Sequence, residues 1–435
     1  MLGAIVVIAA VALAVTPFAA RPFLRWALHG FDAVSVGAVV GSFFAALALF
    51  AVPVTALGAA APFLVRLALP SVADAGKVAG RLYALSTAGS LVGTFVAALV
   101  AIPWVGTQRT LIGTAAFVAL GAGLLLGGGW LLAPMAVATA LAVPPQIKSA
   151  LYETESAYQY IRVVSEGAGG RELELNEGVV SHSAWRANSV LTGRYWDLFL
   201  LLPPLFSRPP ERMLVIGNAG GTIGRAYGRF YPSVRIDGVE IDPKVNEVAR
   251  RWFGAGDNPR MRLITADGRP YLELTKKRYD LIVVDAYRQP YVPFYLATSE
   301  FFHLAREHLR PGGALALNVA ATPHDRRLSQ AIGTTLLTAF PQAWRWRALR
   351  FNDVLFALRE PVSRATLERR AARAPGKLRL LLPLFRTRLE PVRERGTPLT
   401  DDRAPVEWLT DRMILEQVER GGSYEEPALP TAPSR

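Results

Sequence analysis

The sequence predicts a two-part chain: a multi-pass α-helical membrane region, then an α/β domain built on a doubly wound parallel sheet, with a small β-domain before it. Three observations carry this. The first third is almost free of charge: up to Lys148 there are seven Lys or Arg and two acids, leaving 41 of 48 basic and 33 of 35 acidic residues for the remainder. Several stretches in that first third reach the ~20 apolar residues that a bilayer span needs. From about residue 212 to 320, apolar strand-like runs alternate with helix-like segments, which is the pattern of a parallel sheet covered by helices. At 435 residues the chain has room for two or three domains of roughly 150 residues each.

Residues 1–148 form the membrane region. Residues 2–20, 33–57 and 84–104 each read as a span, and 110–143 is split in two by Gly127, Gly128 and Gly129, giving about five helices with four as the alternative. Residues 58–72 read as a short interfacial piece. Residues 1–20 lack the basic segment of a secretory signal, and further spans follow, so they read as a span. Basic residues fall in loops on both sides (Arg21, Arg25 and Arg109 against Arg66, Lys77 and Arg81), so charge does not set the orientation. No charged residue lies inside a predicted span, which argues against ion or proton transport by this part alone.

The absence of cysteine excludes disulfides and thiolate chemistry, and the five histidines show no paired metal-ligand spacing, so no metal site is expected. The net charge of +13 is spread along the second part without an aromatic-interleaved patch. It reads as a basic domain beside anionic lipid rather than a nucleic-acid binder.

Residues 149–188 read as the small β-domain, with alternation in YQYIRVV and RELELNEGVV around a turn at Gly167, Gly169 and Gly170. Residues 189–360 form the α/β domain. Within it, 189–206 reads as a helix stopped by Pro203 and Pro204. Then follow a strand at Met213–Ile216, a loop with Gly217, Gly220, Gly221 and Gly224, a helix to Phe230, and strands ending near Glu240, Asp267 and Asp285. In a doubly wound sheet these ends lie side by side along one crevice. The glycines let the backbone approach a ligand. An acid 20 residues beyond Gly220 can accept from ribose hydroxyls, and one after the third strand from an adenine amine. The loop GNAGGTIG lacks the GxGxxG spacing of dinucleotide sites, and Glu240 is followed by Ile-Asp-Pro. Both points favour an adenosyl-sulfonium ligand on a Rossmann-like, methyltransferase-type fold. Residues 361–420 read as an Arg-rich helical extension with a solvated or membrane-facing surface, and 421–435 as a disordered tail.

The pieces ESAYQYIRV, LELNEGVVSHS, VEIDP, ADGRPYL and VVDAY resemble the spermidine synthase (polyamine aminopropyltransferase) family, and GRLYALSTAGSLVGTFVAALVAIPWVGTQRT and LTDDRAPVEWL resemble its bacterial membrane-fused branch. Members of that branch often carry more spans, so the resemblance implies a shorter variant or a late start. It also implies a transferase with Asp285 as the catalytic acid–base group. Gln159, Gly217, Gly220, Gly221, Glu240, Asp267 and Gly268 would hold the donor, and Tyr195, His182 and Tyr287 would face the acceptor. Decarboxylated S-adenosylmethionine (or S-adenosylmethionine) would be the co-substrate, with no prosthetic group, and an amine such as putrescine the acceptor. The expected setting is the cell (inner) membrane, with the catalytic domain in the cytoplasm, a lipid bilayer as partner and a homodimer as a further one.

The departures define alternatives. The family's loop acid is missing from GNAGGT, and its second acid, three residues after the catalytic one, is Arg288 here. The acid of its DG turn is represented by Asn176 and Glu177. Asp401 and Asp402 are candidates for a substitute acidic wall, or for a turn capping a helix at Ala404–Val418. An S-adenosylmethionine-dependent methyltransferase on the same fold, or a non-catalytic membrane protein binding a nucleoside or polyamine, fits the same residues.

Overall fold

The computed structural model describes residues 1–31, 38–127, 137, 150–167, 169–176, 180–288, 290–420 and 426–432. The chain divides into two compact units: Met1–Lys148 with Thr154–Gln159, and Ser149–Glu153 with Tyr160–Arg435.

The first unit is helical. Helices run over Leu2–Phe31, Ala38–Ala68, Ala75–Val96 and Thr107–Leu126. Among the described residues four segments are long and apolar enough to cross a membrane: Leu2–Ala20, Ala46–Ala68, Val72–Val105 and Thr107–Leu126. Residues 58–68 continue the second helix rather than forming a separate interfacial piece, because neither Pro53 nor Pro62 stops it. The third run passes through a π-turn at Ala97–Ala101, just before Pro103. A proline ring clashes with the carbonyl four residues back, and a wider turn relieves that clash. Gly127 (φ 70°) ends the helix at Leu126; the expected fifth span beyond it lies almost entirely outside the described residues. Leu2–Phe31 packs on Thr107–Leu126 through small residues, with Ala9, Ala10, Ala115, Ala119 and Ala122 all buried. Such residues let helix backbones come close.

After the helices come four strands rather than the expected two: β1 (Ala150–Glu155), β2 (Tyr160–Ser165), β3 (Arg171–Leu175) and β4 (Ser181–Trp185), in that spatial order. Alternate residues of β2 and β3 (Ile161, Val163, Leu173 and Leu175) are buried against Val245, Val248 and Phe253, in and just after the helix at Pro243–Trp252. The segment 189–206 is not an α-helix. It forms two 3-10 turns, Tyr195–Leu201 and Pro203–Leu205, with Trp196 and Leu198–Leu202 all buried. A run apolar on every side gains nothing from an α-helical stripe, and the two prolines end it.

The main sheet has eight strands: β5 (Arg212–Ile216), β6 (Arg235–Glu240), β7 (Met261–Thr265), β8 (Tyr279–Val284), β9 (Leu309–Ala320), β10 (Ala343–Trp346), β11 (Asn352–Leu358) and β12 (Leu389–Pro391). Their order is β12-β10-β11-β9-β8-β5-β6-β7. The run β9-β8-β5-β6-β7 is parallel, and the β10–β11 and β11–β9 pairs are antiparallel. β8 lies inside the sheet, and all six of its residues are buried, as a strand covered on both faces requires.

Two expectations for the C-terminal third change. The Arg-rich extension is not simply a solvated surface, because Leu367, Ala371, Leu378, Leu381 and Phe385 enter the main core. The tail is not disordered over Glu426–Ala432. Leu429 is buried in that core, the Glu426 carboxylate accepts from the Arg350 and Phe351 N–H groups, and Thr431 Oγ1 donates to Asp197 Oδ2 (2.6 Å). One leucine and two polar anchors offset the entropy of ordering so short a piece. Truncating Leu429→Ala should lower the unfolding free energy of this unit by about 2–5 kcal/mol, readable as a drop in its thermal midpoint.

Candidate active site

The strand polarity brings four chain ends to one edge of the main sheet: the glycine loop after β5, Glu240 closing β6, Asp267 after β7 and Asp285 after β8. The loop is tightly folded. Gly217 (φ 83°) and Gly221 (φ 82°) are left-handed, and so is Ala219 (φ 44°), where an L-residue is strained. A Cβ on Gly217 would lie 2.5 Å from the backbone of Ala286, so only glycine fits there. Gly268, at the start of the helix after Asp267, is equally constrained, since a Cβ would meet Ile216 Cγ2 at 2.2 Å. Gly220 donates its N–H to Ser183 Oγ of β4 (2.8 Å), and Thr222 Oγ1 accepts from the Ala184 N–H (3.1 Å). The small sheet thus holds the loop from outside. Ser183 closes the stretch LELNEGVVSHS, and its neighbour His182 is half-buried in the same strand.

Glu240 is buried, and burial pushes its carboxyl above the usual range, although the Ala219 and Asp242 N–H groups at 2.9 and 3.2 Å pull it back. Asp267 caps the helix Gly268–Leu274 by accepting from the Arg269 N–H, and its other oxygen faces the Tyr295 hydroxyl at 3.4 Å.

Asp285 is a strongly perturbed carboxyl of the crevice. Its backbone N–H donates to Ile216 O (2.8 Å), locking it beside the glycine loop. Its carboxylate accepts from the Tyr195 hydroxyl (3.1 Å) and from Asn318 Nδ2 (3.0 Å). Asn318 in turn accepts from Asn352 Nδ2 (2.8 Å). Desolvation pushes the Asp285 carboxyl up to about 7, and the hydrogen bonds from Asn318 and Tyr195 limit the rise. The residue as a whole keeps some solvent exposure. Tyr195 lies in the 3-10 turn, its ring packed against Trp196 at 4.6 Å. Tyr287 spends its hydroxyl on β9, donating to Asn318 O and accepting from the Ala320 N–H.

Asn318 and Asn352 are polar residues of the site that no sequence motif reveals. The available signal is an amide within the apolar run GGALALNVA, where a buried strand has no other use for one. Gln159 falls in the first unit, where its carbonyl accepts from the Ser156 N–H (3.0 Å) in a tight turn. Glu177 lies outside the described residues. Arg288 is exposed and forms a β-bridge with Tyr291. Asp401 does fold back toward this edge, but it is spent on a bidentate ion pair with Arg269 (2.7 and 2.6 Å) and a bond from Thr298 Oγ1. It offers no free acidic wall. Among the described residues there is no cluster of metal-binding side chains.

A glycine loop, a buried acid closing β6 and a carboxyl after β8 whose pKa is raised to about 7 thus share one edge of an α/β sheet. Residues 199–345 match the spermine/spermidine synthase domain. A probable polyamine aminopropyl transferase of Bifidobacterium longum is 34% identical over 192 residues, 43% of this chain and 42% of that protein. The mouse eEF1A lysine and N-terminal methyltransferase is 31% identical over 170 residues, 37% and 24% of the two chains. The chain thus spans less than half the length of either relative. A probable spermidine synthase from Corynebacterium glutamicum aligns with TM-score 0.47 and 18% identity over 57% of this chain and 97% of its own.

Burial of Asp285 makes stability depend on pH. The native state keeps the proton up to about pH 7, whereas the unfolded chain releases it near 3.8. Between those values unfolding releases a proton, so stability falls as pH rises. Asp285→Asn removes this effect. By thermal melting the variant should be more stable than the parent at pH 8, with the gap closing below pH 4.

Proposed function

We propose that this chain is a membrane-anchored aminopropyltransferase that moves an aminopropyl group from decarboxylated S-adenosylmethionine to an amine such as putrescine. The carrying observation is Asp285: a desolvated carboxylate with a pKa of about 7, locked at the tip of β8 beside the glycine loop. An alkyl amine is mostly protonated at neutral pH, and only its free base attacks. The amine nitrogen bonds to the methylene carbon beside the sulfonium, the carbon–sulfur bond breaks, and methylthioadenosine leaves with the electron pair. The proton released from nitrogen goes to the Asp285 carboxylate. Burial raises the basicity of Asp285, and Tyr195 and Asn318 fix its orientation, as general-base work requires. Glu240 would accept from the ribose and Asp267 from the adenine amine, with Gly217, Gly220, Gly221 and Gly268 giving the nucleotide its room. The four apolar helices of the first unit support anchoring in the cell (inner) membrane, with the α/β domain on the cytoplasmic side where adenosyl donors are made.

A methyltransferase acting from intact S-adenosylmethionine is the second reading. The loop GNAGGT carries no acid, so it presents no carboxylate to oppose that of the intact donor.

Calorimetric titration with each donor separates the two. The first reading expects tighter binding of the decarboxylated donor; tighter binding of the intact donor selects the second. With an accepted amine, Asp285→Asn should cut turnover by roughly 10²–10⁴-fold. The parent's kcat/KM should rise as pH passes upward through about 7, the range in which Asp285 ionises. A flat acid limb would remove Asp285 from the role of base.

A further inference from the structure

The opposite edge of the main sheet carries a second feature. Arg212 opens β5 and Arg235 opens β6, and the two are register partners; Arg260 immediately precedes β7, and its carbonyl accepts from the Ile236 N–H. Neighbouring strands lie ~4.8 Å apart, so three arginines stand side by side at the starts of three adjacent strands. Together with Arg262, Lys277 and Asp237 they line a cleft of about 350 Å³. The one carboxylate in the lining is already taken: Asp237 accepts from Lys277 Nζ (2.8 Å), the Tyr279 hydroxyl (2.9 Å) and Arg262 Nε (3.1 Å). The nearby Glu211 pairs with Arg310, and Asp257 faces Arg225. Among the described residues no carboxylate lies within ion-pair distance of Arg212, Arg235 or Arg260.

Like charges placed opposite one another on neighbouring strands repel, and the acids around this cluster are engaged by other partners. The strands are only five or six residues long, so the cleft lies roughly 16–20 Å from the Asp285 edge and cannot serve the reaction directly. We infer that this cleft is a binding site for a phosphate-bearing anion, held by the Arg212, Arg235 and Arg260 guanidinium groups as fork-like donors. Planar guanidinium groups match phosphate oxygens in pairs, and the volume suits a headgroup phosphate or a small free diphosphate.

The test uses the full chain. Hydrogen exchange of residues 234–236 and 258–262 is followed in detergent with and without inorganic pyrophosphate, and in phosphatidylcholine bilayers with and without phosphatidylglycerol. Slowing by several-fold is expected in at least one arm. The pyrophosphate arm alone identifies a soluble anion, and the phosphatidylglycerol arm alone a lipid headgroup. The combined R212S, R235S and R260S variant should lose the effect while exchange in β8 stays unchanged. Should that variant fail to fold, Arg260→Glu, at the exposed loop position, must abolish the slowing alone. No slowing in either arm, or equal slowing in a folded variant, overturns the assignment.

Discussion

Between Gly217 and the peptide joining Asp285 to Ala286 there is no room for a methyl group. A Cβ built on Gly217 lies 2.5 Å from the Ala286 backbone, while the Asp285 N–H bonds to Ile216 O. This close approach sets the distance between the two functional parts of the crevice. The glycine loop can turn sharply only because Gly217 and Gly221 accept positive φ, and Ala219 is carried along into the same region. The strain at Ala219 is offset by what its N–H reaches, the buried Glu240 carboxylate. The loop, the buried Glu240 and the strand-tip carboxylate are therefore one mechanical unit.

The electrostatics follow from that geometry. Asp285 is held where water is scarce, which favours its neutral form, and it receives two side-chain donors, which favour its charged form. Desolvation wins, leaving a carboxyl that titrates near neutrality instead of near 4. The donor side is not a lone pair of groups. Asn352 orients Asn318, and Tyr287 ties the Asn318 carbonyl and the Ala320 N–H to the loop after β8. A cationic amine or sulfonium entering the crevice would draw the Asp285 pKa down again, coupling ligand arrival to its ionisation.

Much of this is legible in the sequence, for physical reasons. The strand tips at Glu240, Asp267 and Asp285 stand out because an acid is out of place in an apolar run, and the glycines mark a turn that side chains would block. The 3-10 segment at Tyr195–Leu201 reads as α-helix because periodicity cannot distinguish a fully buried run from an amphipathic one. Asn318 and Asn352 escape notice because they meet only through antiparallel pairing of β11 with β9, which no local pattern encodes. Asp401 stands out as an acid able to return to the crevice, but nothing local points to its partner Arg269, 132 residues away. The order of Glu426–Ala432 is invisible because composition says nothing of a single leucine finding a pocket.

The anchoring of Thr431 on Asp197 has a consequence for how the crevice is completed. Asp197 sits two residues after Tyr195, and its last hydrogen-bond partner follows it by 234 residues. The remaining donors, the Thr192 N–H and hydroxyl and the Gly193 N–H, are local. A growing polypeptide can thus fold the turn early and still lack the clamp that finishes it until synthesis has passed residue 431. The same arrangement makes the positions around residue 432 a poor place for an affinity tag or fusion partner, because bulk placed there would pull on the turn that presents Tyr195.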